Sequence, residues 1–361
     1  MTSTQTSVVQ DLGTLAHRLS HPARTRCVCE PPQVLADRPD GTVVRSGAIV
    51  AKAHAADTDR EALAARIALA AAPQLTGILL PPLTAPAPAG PAARPITLWP
   101  LGAPVDPADP DAAPWAEAAD LLARLHRTEP PFPLPPMRGP AKAARAVARM
   151  RAALAGGAAT LPGGADPLSG DAATRPGTPA LLGDQASRPG GVASQPGAAA
   201  SHSVLAGWRA LPAWARGEAP APAHRSRFLC HGDLHLGQLV RHPAPDGPWL
   251  LIDVDDVGSG DPAWDLGRPA AWYAAGLLPP EDWATFLDAY RFAGGPAVPA
   301  VGDPWPALDV PARALTVQTA AVALAKCAAE QRDPDEHEQL MIESCARIAT
   351  LRPELAVGPA S

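Results

Sequence analysis

Two neighbouring stretches decide the fold, CHGDLHLGQLV (230–240) and LLIDVDD (250–256). The first places Asp233 and Gln238 five positions apart, and the second ends an apolar run on Asp253. The residues between them alternate apolar segments with an Ala-Pro-Asp-Gly sequence, which is typical of two strands joined by a turn. The sequence therefore predicts a β-hairpin that carries polar side chains at its open end.

The register of this hairpin predicts which side chains meet. If the turn is centred between Pro245 and Asp246, antiparallel pairing places Gln238 opposite Asp253. Asp233 precedes the first strand by a few residues, so it lies at the same open end. The spacing thus predicts a cluster of two carboxylates and one carboxamide.

Such a cluster suits one kind of chemistry. Three oxygen-bearing side chains without a thiol favour Mg²⁺ over zinc, with Asp253 and the carbonyl oxygen of Gln238 as ligands. Asp233 is then available to accept a proton or to orient a hydroxyl group. The arrangement indicates phosphoryl transfer from a nucleotide to an alcohol. The alternative is that these acids and His231 only satisfy a buried polar loop.

Composition and charge exclude several classes of protein. The net charge of −6 and the isoelectric point near 5.9 disfavour a nucleic-acid-binding surface. We find no apolar run long enough to span a membrane and no signal-peptide pattern. The five cysteines are odd in number and scattered, so disulfides are not expected. These features predict a cytoplasmic protein that binds neither nucleic acid nor membranes.

The chain divides by composition into two parts. Residues 1–100 alternate strand and helix patterns, which predicts a small mixed lobe. Residues 101–361 are mainly helical in pattern, which predicts a larger helical lobe. Within it, residues 155–204 are dense in Gly, Ala, Pro and Ser without an aromatic residue, and are predicted to be a disordered insertion.

Individual elements follow from periodicity and end signals. Strands are predicted on both sides of a turn at Ser46 and Gly47. Further segments with helix or strand patterns are 57–72 (helix), 94–102 (strand), 116–128 (helix) and 310–331 (helix). The last helix is predicted to begin with Asp333 as its N-cap and Pro334 in its first turn.

At this point a family resemblance is apparent. HGDLHLGQL (231–239), followed by LLIDVDDVGSGDPAWDLG (250–267), resembles the aminoglycoside phosphotransferase and choline kinase superfamily. AIVAKAH, ITLWPLG and LLARLH are weaker echoes of its lysine strand, its hinge and the helix that follows. The resemblance implies an α+β, two-lobed, protein-kinase-like fold that uses ATP or GTP together with Mg²⁺.

The resemblance also implies roles for individual residues. Asp233 would be the catalytic base and Asp253 the magnesium-binding acid, while His231 would hold the catalytic loop in shape. Three further residues would have a structural role next to these groups: His235, Asp255 and Asp265.

One position departs from the family pattern. The usual metal-binding Asn is Gln238 here, which keeps the carbonyl oxygen but adds a methylene group. Bacterial maltokinases resemble this loop, with H-G-D-x-H-L-G-Q, and this favours a sugar as acceptor slightly.

The small lobe supplies the remaining candidates for nucleotide binding. Lys52 is one of only three lysines and interrupts an apolar strand, so we expect a phosphate or carboxylate partner for it. Glu61, at the start of the next helix, is the candidate partner. The hinge residues Leu98, Trp99 and Leu101 are expected to present backbone groups to an adenine edge.

The acceptor is expected to be a small molecule with a hydroxyl group. Only 11 residues separate Asp253 from Asp265, which leaves little room for a segment that would bind a protein substrate. Aminoglycoside-, sugar- and amino-alcohol-like acceptors remain open. An acceptor pocket or simple helix packing would account equally well for four aromatic residues: Trp264, Trp272, Tyr273 and Trp283. A nucleotide-binding pseudokinase with a regulatory role is the alternative function, and the oligomeric state is left open.

Overall fold

The computed structural model describes residues 3–21, 30–38, 41–83, 94–155, 196–222 and 227–351. The strands are β1 Gln33–Arg38, β2 Gly41–Ser46, β3 Ile49–His54, β4 Ile96–Pro100, β5 Ala103–Pro104, β6 Phe228–Cys230, β7 Leu239–Arg241, β8 Trp249–Leu251 and β9 Gly258–Gly260. The helices are α1 Ser3–Ser20, α2 Arg60–Ala70, α3 Trp115–Arg127, α4 Gly139–Ala155, α5 Pro196–Ala210, α6 Ala263–Ala275, α7 Pro280–Phe292, α8 Trp305–Glu330 and α9 Glu336–Thr350.

The N-terminal part is a four-stranded antiparallel sheet in the order β1-β2-β3-β4. The turn between β2 and β3 uses Gly47 at a φ of 57°, which a residue with a Cβ rarely adopts. Helix α1 packs against β2 and β3, and Leu12 and Ala16 are fully buried against the sheet. Because residues 49–53 of β3 alternate between buried and partly exposed, Lys52 lies on the less buried side of this strand.

The C-terminal part is built around the long helix α8, which packs against α4, α6 and α9. Helices α6 and α8 approach closely at Gly267, where an added Cβ would lie 2.9 Å from the side chain of Leu315. Nearly the whole first half of α6 is buried, including Asp265 and Arg268. Buried charges at this position need partners, and those partners form part of the site described below.

The predicted hairpin is present, but its register differs from the prediction by one residue. Leu239 pairs with Leu251 and Arg241 with Trp249, so Gln238 lies opposite Ile252 and not opposite Asp253. The connecting loop has an odd number of residues, since the His242 N–H donates to the Pro248 carbonyl at 3.0 Å. A turn centred on one residue shifts every pair by one position relative to a turn centred on a bond.

Two other boundaries require correction. The insertion predicted at 155–204 is wrong at both ends, because Ala155 ends α4 and residues from Pro196 onwards form α5. Residues 156–195 lie outside the described part of the chain. The last helix has Asp335 as its N-cap and not Asp333: the Asp335 side chain accepts from the Glu338 N–H at 2.8 Å in a capping box. Glu338 also binds Arg332, which accounts for this acidic segment structurally.

The other expectations of secondary structure agree with the structure to within a few residues. The strands flanking Gly47 and the helices predicted at 57–72, 116–128 and 310–331 are all present. None of the described helices is both long and apolar enough to cross a membrane.

Candidate active site

The loop from Cys230 to Asp233 is shaped by Asp265 at the start of α6. The Asp265 carboxylate accepts the backbone N–H groups of His231 at 2.6 Å and of Gly232 at 2.7 Å. Gly232 has a φ of 85°, and a Cβ there would collide with the carbonyl oxygen of Asp256. The His231 ring donates from Nε2 to the Ile252 carbonyl at 2.8 Å, which ties the loop to the hairpin.

A second histidine, His126 at the end of α3, supports Asp265 from behind. Its Nε2 lies 2.9 Å from Asp265 Oδ2, and its Nδ1 lies 2.7 Å from the Tyr290 hydroxyl. The Tyr290 oxygen accepts from the Ala297 N–H, so its own proton is available to His126. Burial raises the pKa of Tyr290 well above its ordinary value, which keeps it a hydroxyl donor. This buried chain of hydrogen bonds gives a structural role to His126, the last residue of the LLARLH sequence. The sequence alone indicated no role for it.

The predicted metal acid, Asp253, follows β8 in a left-handed conformation with a φ of 60° and a ψ of 73°. Such a conformation costs a non-glycine residue about 1–3 kcal/mol, and it is often found at functional sites. It turns the carboxylate towards the sheet, where Lys52 Nζ lies 2.8 Å from Asp253 Oδ1 and 2.9 Å from Asp255 Oδ2. We call Lys52, Asp253 and Asp255 the lobe-bridging cluster.

The charges of this cluster stabilise one another. Burial disfavours the charged form of Lys52, but the two carboxylates outweigh it and raise the pKa of Lys52. Burial likewise opposes ionisation of Asp255, yet the charge of Lys52 and a hydrogen bond from His54 hold the pKa of Asp255 far below its usual range. Lys52 and Asp255 are therefore both charged at neutral pH.

Lys52 does not pair with Glu61, and this prediction was wrong. Glu61 is exposed in the first turn of α2, where its N–H donates to the Asp59 cap at 3.0 Å. Helix α2 is instead joined to the loop after Asp253 through Arg66, whose Nε donates to the Val257 carbonyl at 2.8 Å.

Gln238 lies beside Asp253 despite the shift in register. Its amide nitrogen is 3.5 Å from Asp253 Oδ2, and Gln238 is buried. Which end of an amide carries the oxygen is assigned from hydrogen bonding, so the same position can present Oε1. An all-oxygen pair at this separation fits Mg²⁺, which binds oxygen at 2.0–2.1 Å and keeps most of its other positions for water and phosphate.

The predicted hinge residues lie at the end of β4 and directly after it, and several of their backbone groups are already engaged. The Leu98 carbonyl accepts from the Leu83 N–H at 2.8 Å. The Leu101 N–H donates to the Ala48 carbonyl, and the Leu101 carbonyl lies 3.2 Å from His242 Nδ1. The adenine or guanine ring of a nucleotide could bind these backbone groups only if their present hydrogen bonds were broken.

Trp99 is held by a contact within its own strand. It is partly buried and donates from its indole nitrogen to the Thr97 hydroxyl at 3.0 Å. Its side chain therefore packs against the protein.

The predicted base, Asp233, is enclosed by two cations that the sequence did not reveal. Arg268 of α6 lies 2.6 Å from Asp233 Oδ1, and Lys142 of α4 lies 2.9 Å from Asp233 Oδ2. Lys142 also binds Asp256 at 2.6 Å. We call Asp233, Lys142, Arg268 and Asp256 the helical cluster.

The two cations of the helical cluster set the protonation of its acids. Burial alone would raise the pKa of Asp233, but the charges of Lys142 and Arg268 outweigh it and lower the pKa well below its usual range. For Asp256, burial prevails over the charge of Lys142 and raises the pKa. Asp233 is thus an ionised acceptor of hydrogen bonds over the whole physiological pH range.

His235 lies against this cluster and is kept neutral. Burial, followed by the charge of Arg268, lowers the pKa of His235 to about 4. Its Nδ1 accepts from the Gly237 N–H at 3.1 Å, which is a contact that only an unprotonated nitrogen makes. His235 therefore supports the loop and contributes no charge at neutral pH.

The four aromatic residues considered for an acceptor pocket mostly pack against other helices. Trp264 and Trp283 are buried in the core. Tyr273 stacks on Trp283 with ring centroids 5.4 Å apart and on Trp305 at 6.4 Å. Helix packing accounts for Trp264 and Trp283, while Trp272 and Tyr273 are half-buried.

The structure thus brings Gln238, Asp253 and Lys52 together and leaves Glu61 apart. The loop that carries Asp233 is tied to the same hairpin through His231 and Ile252. Four further residues complete the site and were missed: His54, Lys142, Arg268 and His126. Scarcity was a usable signal for Lys142, since the chain has only three lysines. For Arg268 the signal was its place directly after the DLG sequence of α6.

Comparison with known proteins identifies the family. A model of the phosphotransferase enzyme family matches residues 94–305, more than half of the chain. A search of the curated proteins found no match. Among solved structures, a choline kinase from Cryptosporidium parvum has a TM-score of 0.53 at 11% identity, covering 89% of this chain and 88% of that chain.

Two other solved structures superpose less closely. A choline/ethanolamine kinase family protein from Mesorhizobium loti has a TM-score of 0.48 at 16% identity, covering 91% of this chain and 92% of that chain. A spectinomycin phosphotransferase, solved with ADP and spectinomycin, has a TM-score of 0.49 at 14% identity, covering 87% and 92%. The predicted protein-kinase-like fold and the prediction of a phosphotransferase that acts on an alcohol group are confirmed.

Proposed function

Because the chain belongs to the phosphotransferase enzyme family, we propose that it is a Mg²⁺-dependent kinase for a small molecule. It transfers the γ-phosphate of ATP or GTP to a hydroxyl group of an aminoglycoside-, sugar- or amino-alcohol-like acceptor. Residues 1–100 form the nucleotide lobe and residues 101–361 the catalytic and substrate lobe. A cytoplasmic location belongs to the same proposal.

One observation carries this function. Lys52, on the sheet, reaches Asp253 at 2.8 Å, and Gln238 on the same hairpin lies beside that carboxylate. A cation and two oxygen ligands are thereby collected at the junction of the sheet and the helical part, next to the loop that carries Asp233. Phosphoryl transfer depends on this kind of positioning and charge, because the protein itself supplies little covalent chemistry.

Each residue then has a defined task. Lys52 binds phosphate oxygens of the nucleotide, and the hinge around Leu98, Trp99 and Leu101 flanks its base. Asp253 and Gln238 hold Mg²⁺, which when bound neutralises charge on the phosphates. His231, Asp255 and Asp265 maintain the loops on which these groups lie.

Asp233 accepts the proton of the acceptor hydroxyl. As the acceptor oxygen forms its bond to the γ-phosphorus, the bond from that phosphorus to the leaving nucleotide diphosphate breaks, and the hydroxyl proton passes to Asp233. A low pKa does not disqualify Asp233 as this base, because the hydroxyl proton becomes strongly acidic as its oxygen bonds to phosphorus. The regulatory pseudokinase is not favoured, because the family is one of enzymes.

A thermal-shift titration with ATP and GTP, each with and without Mg²⁺, tests the proposal. A ligand at about 100 times its dissociation constant should add roughly 2.7 kcal/mol to the free energy of unfolding. We expect a magnesium-dependent shift with at least one nucleotide, followed by phosphorylation of a hydroxyl compound detected by mass. The absence of a shift with either nucleotide would contradict the proposal.

A further inference from the structure

Two cations of the helical cluster, Lys142 and Arg268, contact the base Asp233 directly. Asp233 and Asp256 supply two carboxylates, and Lys142 and Arg268 supply two cations. Arg138 Nε, at 3.5 Å from Asp256 Oδ1, adds a third cation to the same network. An acceptor that places its hydroxyl group at Asp233 must therefore approach these cations.

Both cations lie within hydrogen-bonding distance of the base, Lys142 at 2.9 Å and Arg268 at 2.6 Å. A cationic group next to Asp233 would be repelled by them, and in a buried site that repulsion is only weakly screened.

Arg268 also has hydrogen-bonding capacity to spare. Its side chain is 9% exposed and makes one hydrogen bond, from NH2 to Asp233 Oδ1. Its Nε is buried without a partner among the described residues. A buried donor without an acceptor is unfavourable, and an oxygen atom of a bound ligand would satisfy it.

We infer that the acceptor is an oxygen-rich hydroxyl compound without positive charge, a sugar or a sugar acid, and that Arg268 selects it. The reacting hydroxyl donates to Asp233 while a neighbouring hydroxyl or carboxylate oxygen accepts from Arg268. This inference rests on the proposed function and narrows its acceptor, because it excludes aminoglycosides and amino alcohols. The hydroxyl proton passes to Asp233, the phosphoryl group passes to the acceptor oxygen, and the nucleotide diphosphate is the leaving group.

The test is a competition among three classes of acceptor with the full-length protein and Mg²⁺·ATP. The panel contains neutral sugars and polyols, sugar acids such as gluconate, and amines such as kanamycin, choline and ethanolamine. Mass spectrometry detects the added phosphoryl group, and kcat/KM is measured for each product. We expect turnover of neutral or anionic compounds to exceed that of every amine. For an anionic acceptor KM should rise with added salt, whereas for a neutral one it should not.

Arg268→Gln tests the residue itself. We expect KM for the acceptor to rise roughly 10- to 100-fold, which corresponds to one charge-assisted hydrogen bond. KM for ATP should stay unchanged, which a general loss of structure would not produce. Arg127→Gln is the matched control, because Arg127 is a surface arginine that donates only to the Ala293 carbonyl in the described structure.

Two outcomes would overturn the inference. One is an amine that is the best acceptor of the panel. The other is a panel in which no neutral or anionic compound is phosphorylated although Mg²⁺·ATP still gives a thermal shift. In both cases the proposed kinase function survives, whereas loss of the ATP-induced shift itself would refute that function instead.

Discussion

Two lysines of this chain each bridge two aspartates, but in different settings. The lobe-bridging cluster joins the sheet to the hairpin, and its aspartate side chains are 34% and 30% exposed. The helical cluster lies inside the helical part, and its aspartate side chains are only 11% and 12% exposed. Solvent and ligands therefore reach the first cluster more readily, while the second is an enclosed network that fixes the charge of one carboxylate.

This difference assigns the two clusters to different tasks. An open cluster with spare carboxylate oxygens can exchange partners when a charged nucleotide and a metal arrive. An enclosed cluster resists exchange, because a buried charge that loses its partner is costly. We therefore expect changes in the helical cluster to affect the chemical step and changes in the lobe-bridging cluster to affect nucleotide binding.

The largest effect is expected for Asp233→Asn. The amide keeps a similar shape but cannot accept the hydroxyl proton, so kcat should fall about 100- to 10,000-fold. Nucleotide affinity should remain within experimental error, measured by the thermal shift with Mg²⁺·ATP. Asp246→Asn, in the exposed hairpin turn, is the control. A variant that retains near-normal kcat would remove Asp233 from the reaction.

The next effect is expected for Asp253→Asn. Asn tolerates the left-handed conformation at this position, so the fold should be retained. Loss of the charged oxygen should lower kcat/KM roughly 100-fold, comparable with the loss of one electrostatic stabiliser in an active site. Activity should recover partly at high Mg²⁺ concentration. Unchanged magnesium dependence would show that the metal is bound elsewhere.

Lys142→Met should change the pH dependence. In the native protein the pKa of Asp233 lies far below its usual value, so its ionisation contributes stability above a pH of about 3.9, which is lost only in stronger acid. Without Lys142 that pKa rises, and the acidic limb of kcat/KM should move to higher pH. Unfolding free energy at pH 7 should fall by about 3–5 kcal/mol, because Asp233 and Asp256 lose their shared partner.

The effect of Lys142→Met can be separated from simple unfolding. Asp256→Asn in the same background removes one of the two carboxylates that have lost Lys142 and should restore part of the stability. The shifted pH profile should persist, because it depends on Asp233 alone. A profile that coincides with that of the native enzyme would show that Lys142 does not act on the base.

The smallest effect is expected for Gln238→Asn. Both amides offer a carbonyl oxygen, and kcat/KM should change less than about tenfold, which is about 1.4 kcal/mol in the barrier. Magnesium dependence of the rate is the second measurement. An inactive variant would mean that the additional methylene group of Gln238 is part of the metal geometry.

Local pattern was sufficient for part of this site. The apolar run that ends at Asp253 and the short connection from Gln238 placed the two side chains together, even though the register was one residue off. The error came from the turn, because several Pro and Gly residues leave its centre undetermined. A lysine in an apolar strand correctly indicated an anionic partner for Lys52.

Long-range packing determined the rest. Lys142 reaches Asp256 across 114 residues of sequence. The apolar pattern of α4 does not indicate which of its faces meets the loop that carries Asp256. Glu61 was chosen as the partner of Lys52 because it lies near in sequence, whereas Asp253 lies 201 residues away. The start of α9 was misplaced by two residues, since Asp333 and Asp335 both suit an N-cap and only the capping box with Glu338 decides between them.

Titration of Mg²⁺·ATP into the native protein, Asp233→Asn and Asp253→Asn by calorimetry tests the division between the two clusters most directly. We predict equal affinity for the native protein and Asp233→Asn, and an affinity at least about tenfold weaker, or about 1.4 kcal/mol, for Asp253→Asn. Equal loss in both variants would contradict the division and would make the two clusters one binding site.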